Sequence, residues 1–359
     1  MATQTLYRHL DEARPWSDRA GQLECVAVMH EGRDVATFTF RAPDDSWFRY
    51  EPGQFVTLEL PTAEGPVLRT YTLSSSPSRP LSISVTAKAQ ATSVGTRWML
   101  ENLKPGTRLK AHGPAGQFTF HRHPAERYLF ISAGSGITPM MSMTRFAEDH
   151  GSAVDIAFVN CARRPSDIIF RHELERMAGR MRHLRLAWIV EESDPGEAWT
   201  GFRGRLNAPA LRLIAPDFRE REIFCCGPAP FMAAVKDMLE ANGCDMRRYH
   251  EESFHPPEPD ALAAGGEPAD GAAQGSVAFV QSGIEVPATG GETILQLARS
   301  AGLNIPTGCT MGLCGTCKVQ RLSGDVAMAH QGGIREEEID AGLILACCSR
   351  PLGRVEIEA

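Results

Sequence analysis

Residues 23–120 carry short runs in which apolar and polar positions alternate or β-branched residues dominate: LECVAVMH, VATFTF, QFVTLEL, TYTLSS, LSISVTA and RLKAHG. Gly, Pro, Asp and Asn punctuate them. A period of two sends successive side chains to opposite faces of a strand. Several such runs at close spacing, with turn residues between, predict an antiparallel β-barrel. One helical stretch, 95–102, interrupts it. From residue 128 apolar strands alternate with helical stretches: YLFISA, PMMSMTRFAEDHG, VDIAFVN, HELERMAG, LRLAWIV, REIFCCG and FMAAVKDMLEANG. That alternation predicts βαβ units on a parallel sheet, whose ligands sit at the carboxyl ends of the strands.

Residues 255–275, HPPEPDALAAGGEPADGAAQG, contain one Leu and no aromatic, so nothing there can build a core and the stretch reads as a linker. A third compact unit follows, with VAFVQSG, an amphipathic TILQLARSAG, a cysteine-rich loop and closing strands LILACCS and GRVEIEA. The expected division is an N-terminal arm (1–21), a barrel (22–124), an α/β parallel-sheet domain (125–254), a linker (255–275) and a C-terminal domain (276–359). A chain of 359 residues accommodates such domains, each with its own interior. No internal repeat is present.

A formal net charge of −7 argues against a nucleic-acid surface, which needs clustered Lys and Arg. The longest apolar runs fall far short of the roughly 20 residues that span a bilayer, so no membrane segment is expected. The first residues, MATQTLYRHLDEARPW, lack the apolar core of a secretory signal, which predicts a cytoplasmic protein. Ten cysteines in that compartment point to metal ligands, catalytic groups or buried thiols before disulfides.

The run GCTMGLCGTCK, 308–318, sets Cys309, Cys314 and Cys317 in a C-x4-C-x2-C spacing. Four thiolates holding two irons in a plant-type [2Fe–2S] cluster use this spacing. Gly308, Gly312 and Gly315 let the loop wrap tightly and aim N–H groups at the sulfurs. A structural zinc site would pair C-x2-C with another such pair or with histidines, and none is suitably spaced. Cys347 and Cys348 both stand where a fourth ligand is needed, and spacing does not choose between them.

ISAGSGITPM, 131–140, follows an apolar strand and precedes a helical stretch. A glycine turn there brings a pyrophosphate to the backbone at a helix N-terminus. A second turn, CGPAPFM at 226–232, also ends a strand, and the two would bracket a dinucleotide. Glu191 and Glu192 end the strand LRLAWIV, where a carboxylate accepts from a ribose 2′-hydroxyl and repels a 2′-phosphate. NADH is therefore expected over NADPH. Arg163 and Arg164 either contact phosphates or stand exposed. On the strand RTYTLSS, 69–75, an arginine suits a flavin phosphate, a tyrosine can cover the ring, and a short hydroxyl can reach its reactive nitrogen.

RTYTLSSSP, KPGTRLKAHGPAGQF, GSGITP and CCGPAPFM stand in the order found in the ferredoxin–NADP reductase superfamily. With the appended cysteine loop, the chain resembles its hybrid flavin/[2Fe–2S] reductases. PGQFVTLEL, RYHEESF and ILACCS resemble most the reductase components of Rieske oxygenases that demethylate glycine betaine and related quaternary amines. The resemblance runs from about residue 22 to the end, linker excepted.

It implies a flavin β-barrel, a nucleotide domain and a β-grasp ferredoxin domain. By resemblance, Arg69, Tyr71, Thr72, Leu73, Ser74, Val85, Thr96 and Phe254 contact FAD, preferred over FMN, and His112-Gly113-Pro114 closes the barrel. Gly134, Ser135, Gly136, Thr138, Pro139, Arg163, Glu191, Cys226, Gly227 and Pro228 hold NADH. Ser74, Cys226 and Glu252 line the reactive site without acting as acid, base or nucleophile. Cys309, Cys314, Cys317 and Cys347 ligate the cluster. Electrons would pass from NADH through FAD and the cluster to a Rieske-type oxygenase, with the linker letting the ferredoxin unit swing. A hybrid-cluster protein reductase and a flavin/ferredoxin redox sensor are the alternatives. A self-contained oxygenase would need a Rieske C-x-H pair or two histidines and a carboxylate around iron, and neither is legible. His121 and His123 read as exposed polar residues at a domain joint.

Overall fold

The computed structural model describes residues 14–16, 21–63, 65–90, 93–254, 275–288, 290–303, 305–307, 310, 312, 315–330 and 333–359. Cys309, Cys314 and Gly308, nearly all of the expected linker, and most of the N-terminal arm lie outside the described residues. Two of the four expected cluster ligands, Cys317 and Cys347, are therefore described.

The first sheet contains β1 (Gly21–Gly32), β2 (Val35–Arg41), β3 (Phe55–Thr62), β4 (Gly65–Thr72), β5 (Ile83–Lys88) and β6 (Arg108–Ala115). It is antiparallel in the order β4-β3-β6-β1-β2-β5, and a bridge from Leu73 to Val85 joins its two edge strands into a barrel. Phe38, Phe40, Leu58, Leu60, Leu73 and Val85 fill the interior and are fully buried. Helix α1 (Val94–Asn102) lies where the periodicity places it, between β5 and β6. β4 begins five residues before the run TYTLSS, because β3 and β4 pair from Phe55↔Thr72 to the turn at Thr62↔Gly65.

The second sheet contains β7 (Arg127–Ala133), β8 (Asp155–Ala162), β9 (Leu184–Val190), β10 (Phe202–Arg203), β11 (Glu222–Cys226) and β12 (Tyr249–Glu252). Its order is β10-β9-β8-β7-β11-β12, all parallel. Apolar runs such as YLFI and IAFV are buried on both faces, as central parallel strands require. Helices α2 (Ile137–Asp149) and α3 (Arg171–Arg180) cover one face, and α4 (Ala208–Ile214) and α5 (Ala229–Ala241) the other. The chain reverses direction across the sheet between β7 and β11, the position at which open α/β sheets bind ligands.

α2 is buried on every side over its first turns because it is wedged between this sheet and the barrel. Ser142 Oγ donates to Ser75 O at 2.6 Å, and the Arg145 guanidinium donates to Ser74 O while gripping Glu173 at 2.7 and 2.9 Å. Both contacts tie α2 to the chain just after the flavin-like strand.

The strands of the third unit are β13 (Gly275–Phe279), β14 (Ile284–Ala288), β15 (Lys318–Ser323), β16 (Val326–Met328), β17 (Leu343–Leu345), β18 (Ser349–Pro351) and β19 (Arg354–Glu358). They form a mixed sheet, order β14-β13-β19-β15-β17, and a short pair β16-β18. Helix α6 (Ile294–Ser300) opens with a capping box, Thr293 to Gln296, and buries Ile294, Leu295 and Leu297 against the sheet. α7 (Glu336–Asp340) leads into β17. Among the described residues no helix is long and apolar enough to cross a membrane.

Candidate functional site

The two glycine turns meet at the switch point. β7 and β11 are direct neighbours, pairing Ser132 with Cys226, so the turns that follow them lie side by side. A Cβ on Gly136 would stand 2.2 Å from Cys226 O and 2.7 Å from Gly227 N, both backbone atoms, so only glycine allows this approach. Thr138 Oγ1 donates to Ser135 O at 3.1 Å and closes the first turn.

Over these turns opens a cavity of about 390 Å³. Of the residues expected around the nucleotide, Gly134, Arg163, Glu191 and Pro228 line it. Ser135, Gly136, Thr138, Pro139, Cys226 and Gly227 build the turns behind it. Cys161, Leu206 and Phe231 add an apolar wall that suits an adenine ring, and the Lys88–Asp167 ion pair, 3.4 Å, closes it from the barrel side. Sequence reasoning missed these five. Only Phe231 stood inside a recognised motif, while the others come from separate strands and turns that the fold brings together.

The two carboxylates ending β9 behave differently. Glu191 faces the cavity, with Arg205 Nε donating to it at 3.3 Å. Glu192 is held by Arg163 at 2.8 Å and by Arg164 at 2.6 Å, and these two guanidinium partners hold its carboxyl below the usual range. Arg164 is thereby committed to a carboxylate.

On the barrel side, Tyr71 Oη lies 3.3 Å from Thr96 Oγ1 of α1, and burial pushes the Tyr71 phenol up. A Cβ on Gly95 would meet Arg69 Cγ at 2.9 Å and lie 3.6 Å from Tyr71 Oη, so helix and strand are in contact. Ser93, the α1 N-cap, places no side chain on the first-turn N–H groups, and Arg69 is exposed beside them. A helix N-terminus with an arginine and a tyrosine fits a flavin with its diphosphate. Ala91 and Thr92, just before the α1 N-cap, lie outside the described residues.

Leu73 and Val85 point into the barrel core, so any flavin contact they make is through backbone. Ser74 is buried, with its Oγ 2.9 Å from Thr86 Oγ1. Thr72 Oγ1 donates to Glu252 at 3.1 Å, joining the barrel to β12. Enclosure pushes the Glu252 carboxyl up to about 8, against the lowering influence of Thr72. Cys226, opposite Glu252 across the β11–β12 pair, is fully buried, and burial followed by the neighbouring Glu252 pushes its thiol well up. Thr72, Glu252 and Cys226 thus meet at the seam between barrel and sheet, and Ser74 reaches it through its carbonyl, which accepts from Arg145. Phe254, two residues on, keeps 40% of its surface exposed.

In the third unit Cys317 and Cys347 are buried and in side-chain contact. Gly312 N donates to Cys347 Sγ at 3.3 Å, and Gly312 and Gly315 have φ of 73° and 69°, so the glycines turn the loop and supply the expected N–H. Cys348 Sγ donates to Leu345 O at 3.8 Å and also stays in side-chain contact with Cys347. The donor set fits a thiolate-held iron–sulfur cluster. This loop faces the barrel: Gly315, Thr316 and Lys318 enclose a cavity of about 240 Å³ together with His112, Gly113 and Pro114 of β6.

Of the two histidines expected to stand exposed at the joint, His121 does and His123 does not. His123 is half-buried, stacked on His250 with ring centroids 3.6 Å apart, and Glu222 lies 2.6 Å from His250 Nε2. Two histidines and a carboxylate do come together, from the joint, β12 and β11, and no local spacing announces it.

A barrel with a flavin corner, a parallel sheet with a dinucleotide cleft and a ferredoxin unit with a thiol loop define an electron-transfer reductase that keeps its one-electron carrier in the same chain. Family models agree stretch by stretch: an oxidoreductase FAD-binding domain over 22–120, an oxidoreductase NAD-binding domain over 130–237, and a 2Fe-2S iron-sulfur cluster binding domain over 278–352. The stachydrine N-demethylase reductase subunit of Rhizobium meliloti is 52% identical over 346 residues, 96% of this chain and 98% of its own. The glycine betaine monooxygenase reductase subunit of Pseudomonas aeruginosa is 47% identical over 352 residues, 96% of each chain. Phthalate dioxygenase reductase shares the fold, with a TM-score of 0.56 at 22% identity over 95% of this chain and 98% of that one. The chain belongs to the family of monooxygenase and N-demethylase reductase subunits that carry FAD-binding, NAD-binding and [2Fe–2S] domains.

Proposed function

We propose that this chain is the reductase component of a cytoplasmic two-component Rieske-type monooxygenase that demethylates glycine betaine, stachydrine or a related quaternary amine, and that NADH is its electron donor. The kinship to reductase subunits of both systems supports the substrate class. The described cysteines are all free thiols, in keeping with a reducing compartment. The observation that carries the reading is the convergence of three sites within one chain: the turns at Gly136 and Cys226, the flavin corner at Tyr71 and Thr96, and the thiol loop seated against β6.

When bound, FAD accepts a hydride from NADH and releases its electrons singly to the cluster, which is what an iron-centred partner requires. The protein's part is placement. The glycine turns hold the nucleotide's diphosphate, and Phe231 and Leu206 wall its adenine end. Arg69, Tyr71 and the α1 N-terminus hold the flavin, while Thr72 presents its hydroxyl at the seam. Glu252, whose raised pKa keeps its carboxyl largely neutral near pH 7, places no full negative charge beside the reacting rings. Cys309, Cys314, Cys317 and Cys347 hold the irons. We assign the domains as 22–124, 125–254 and 276–359, with 255–275 as a tether that lets the ferredoxin unit leave the barrel and meet the oxygenase.

Anaerobic titration of the purified holoprotein with NADH and then NADPH, following flavin and iron–sulfur absorbance separately, tests this. Bleaching of both chromophores at low NADH and only at much higher NADPH is expected. No reduction by either nucleotide would overturn it. The partner class is checked by adding the reduced protein to a purified glycine betaine or stachydrine oxygenase and measuring formaldehyde release.

A further inference from the structure

His123, Glu222 and His250 lie outside the nucleotide, flavin and cluster sites, and none of the steps above uses them. Each offers one ligand atom, and these atoms all lie within 4.8 Å of one another. In a tetrahedral zinc site with bonds of about 2.0–2.1 Å, neighbouring ligand atoms stand about 3.4 Å apart. Turning the exposed edge of the His123 ring out of its stack on His250 would bring the three onto one ion. The set comprises two imidazole nitrogens and one carboxylate oxygen, the chemistry of zinc sites that keep a position open to water.

The surroundings favour an ion. His250 and Glu222 keep 15% and 16% of their side-chain surface, which shields them while leaving solvent a way in. Phe224 flanks both rings, at 5.1 Å from His250 and 5.9 Å from His123, and fixes their planes. The cations adjacent in sequence have other partners: Arg122 lies 3.9 Å from Glu51, and Arg221 is held by Asp155 and Asp217. A metal would compete with the short contact between His250 Nε2 and Glu222.

We propose that His123, Glu222 and His250 form a binding site for a divalent transition-metal ion, of which zinc is the type, and that this ion clips strand β12 to the joint between barrel and sheet. β12 is a four-residue edge strand whose one neighbour in the sheet among the described residues is β11. His250 and Glu252 share one face of it, two residues and about 6.6 Å apart along the strand. His123 belongs to the joint, directly after the 3-10 turn Phe120–Arg122. Bound metal would thus fasten the strand carrying the Glu252–Thr72 contact to the segment where the two domains meet, adding rigidity without touching substrate.

The test uses flavin- and cluster-loaded protein, freed of adventitious metal on a chelating resin and titrated calorimetrically with zinc chloride in a non-chelating buffer at pH 7.5. Wild type is expected to bind one zinc per chain and to melt several degrees higher with it. His123→Ala, a change at a half-buried joint position, should bind at least 30-fold more weakly and lose the shift, with flavin and cluster absorbance unchanged. His250→Ala should behave alike. Zinc K-edge absorption should show nitrogen and oxygen neighbours only. Equal uptake by wild type and His123→Ala, sulfur at about 2.3 Å, or no stoichiometric uptake would each overturn the proposal.

Discussion

Replacing Gly136 with alanine is expected to cut kcat/KM for NADH about 100-fold while leaving both chromophores bound. A Cβ at this position would sit 2.2 Å from Cys226 O and 2.4 Å from Cys226 C, whereas ordinary contact begins at 3.4 Å, so the turns after β7 and β11 must separate by about 1 Å. Neither obstacle is a flexible side-chain tip, so the shift falls on the backbone that cradles the nucleotide. A displacement of about 1 Å in a positioning element costs on the order of 100-fold in rate. Gly134→Ala is the control. It has positive φ, 56°, but open space for a Cβ, so it carries only the left-handed strain of about 1–2 kcal/mol and no separation of the turns. Stopped-flow reduction of the flavin by NADH, with melting temperatures measured in parallel, reads both variants. A Gly136→Ala protein that folds and reduces its flavin at the wild-type rate would refute the inference that close contact of the two turns builds the nucleotide site.

Glu192→Ala releases Arg163 and Arg164 from their carboxylate. Charge-assisted hydrogen bonds of about 1.5–3 kcal/mol to a 2′-phosphate should then raise kcat/KM for NADPH at least 10-fold, with NADH changed far less; steady-state assays with both nucleotides check it. Arg221 is fully buried between Asp155 and Asp217, at 2.9 and 2.8 Å. Arg221→Leu leaves both carboxylates without their shared cation, so a loss of about 3–5 kcal/mol is expected, seen as a melting transition lowered by roughly 10 °C or more. Cys347→Ser should abolish the iron–sulfur absorbance and Cys348→Ser should keep it, since Cys347 contacts Cys317 and accepts from the Gly312 N–H; the reverse pattern would reassign the fourth ligand.

What could be read along the chain is what local physics controls. Strand and helix periodicity placed the barrel runs, α1 over 95–102 and the alternating elements of the second domain, because side-chain direction repeats with a period the backbone sets. The cysteine spacing and the two glycine turns were legible for the same reason, since one short loop must present several groups at once. Tertiary structure decided whatever depends on elements distant in sequence. It sent Leu73 and Val85 into the barrel core, divided Glu191 from Glu192 through arginines 14 to 29 residues away, and set Cys347 against Cys317 and the Gly312 N–H. It also assembled His123, Glu222 and His250, residues 28 to 127 positions apart. No periodicity links such groups: their meeting is a property of strand order and domain seating, which only the folded chain determines.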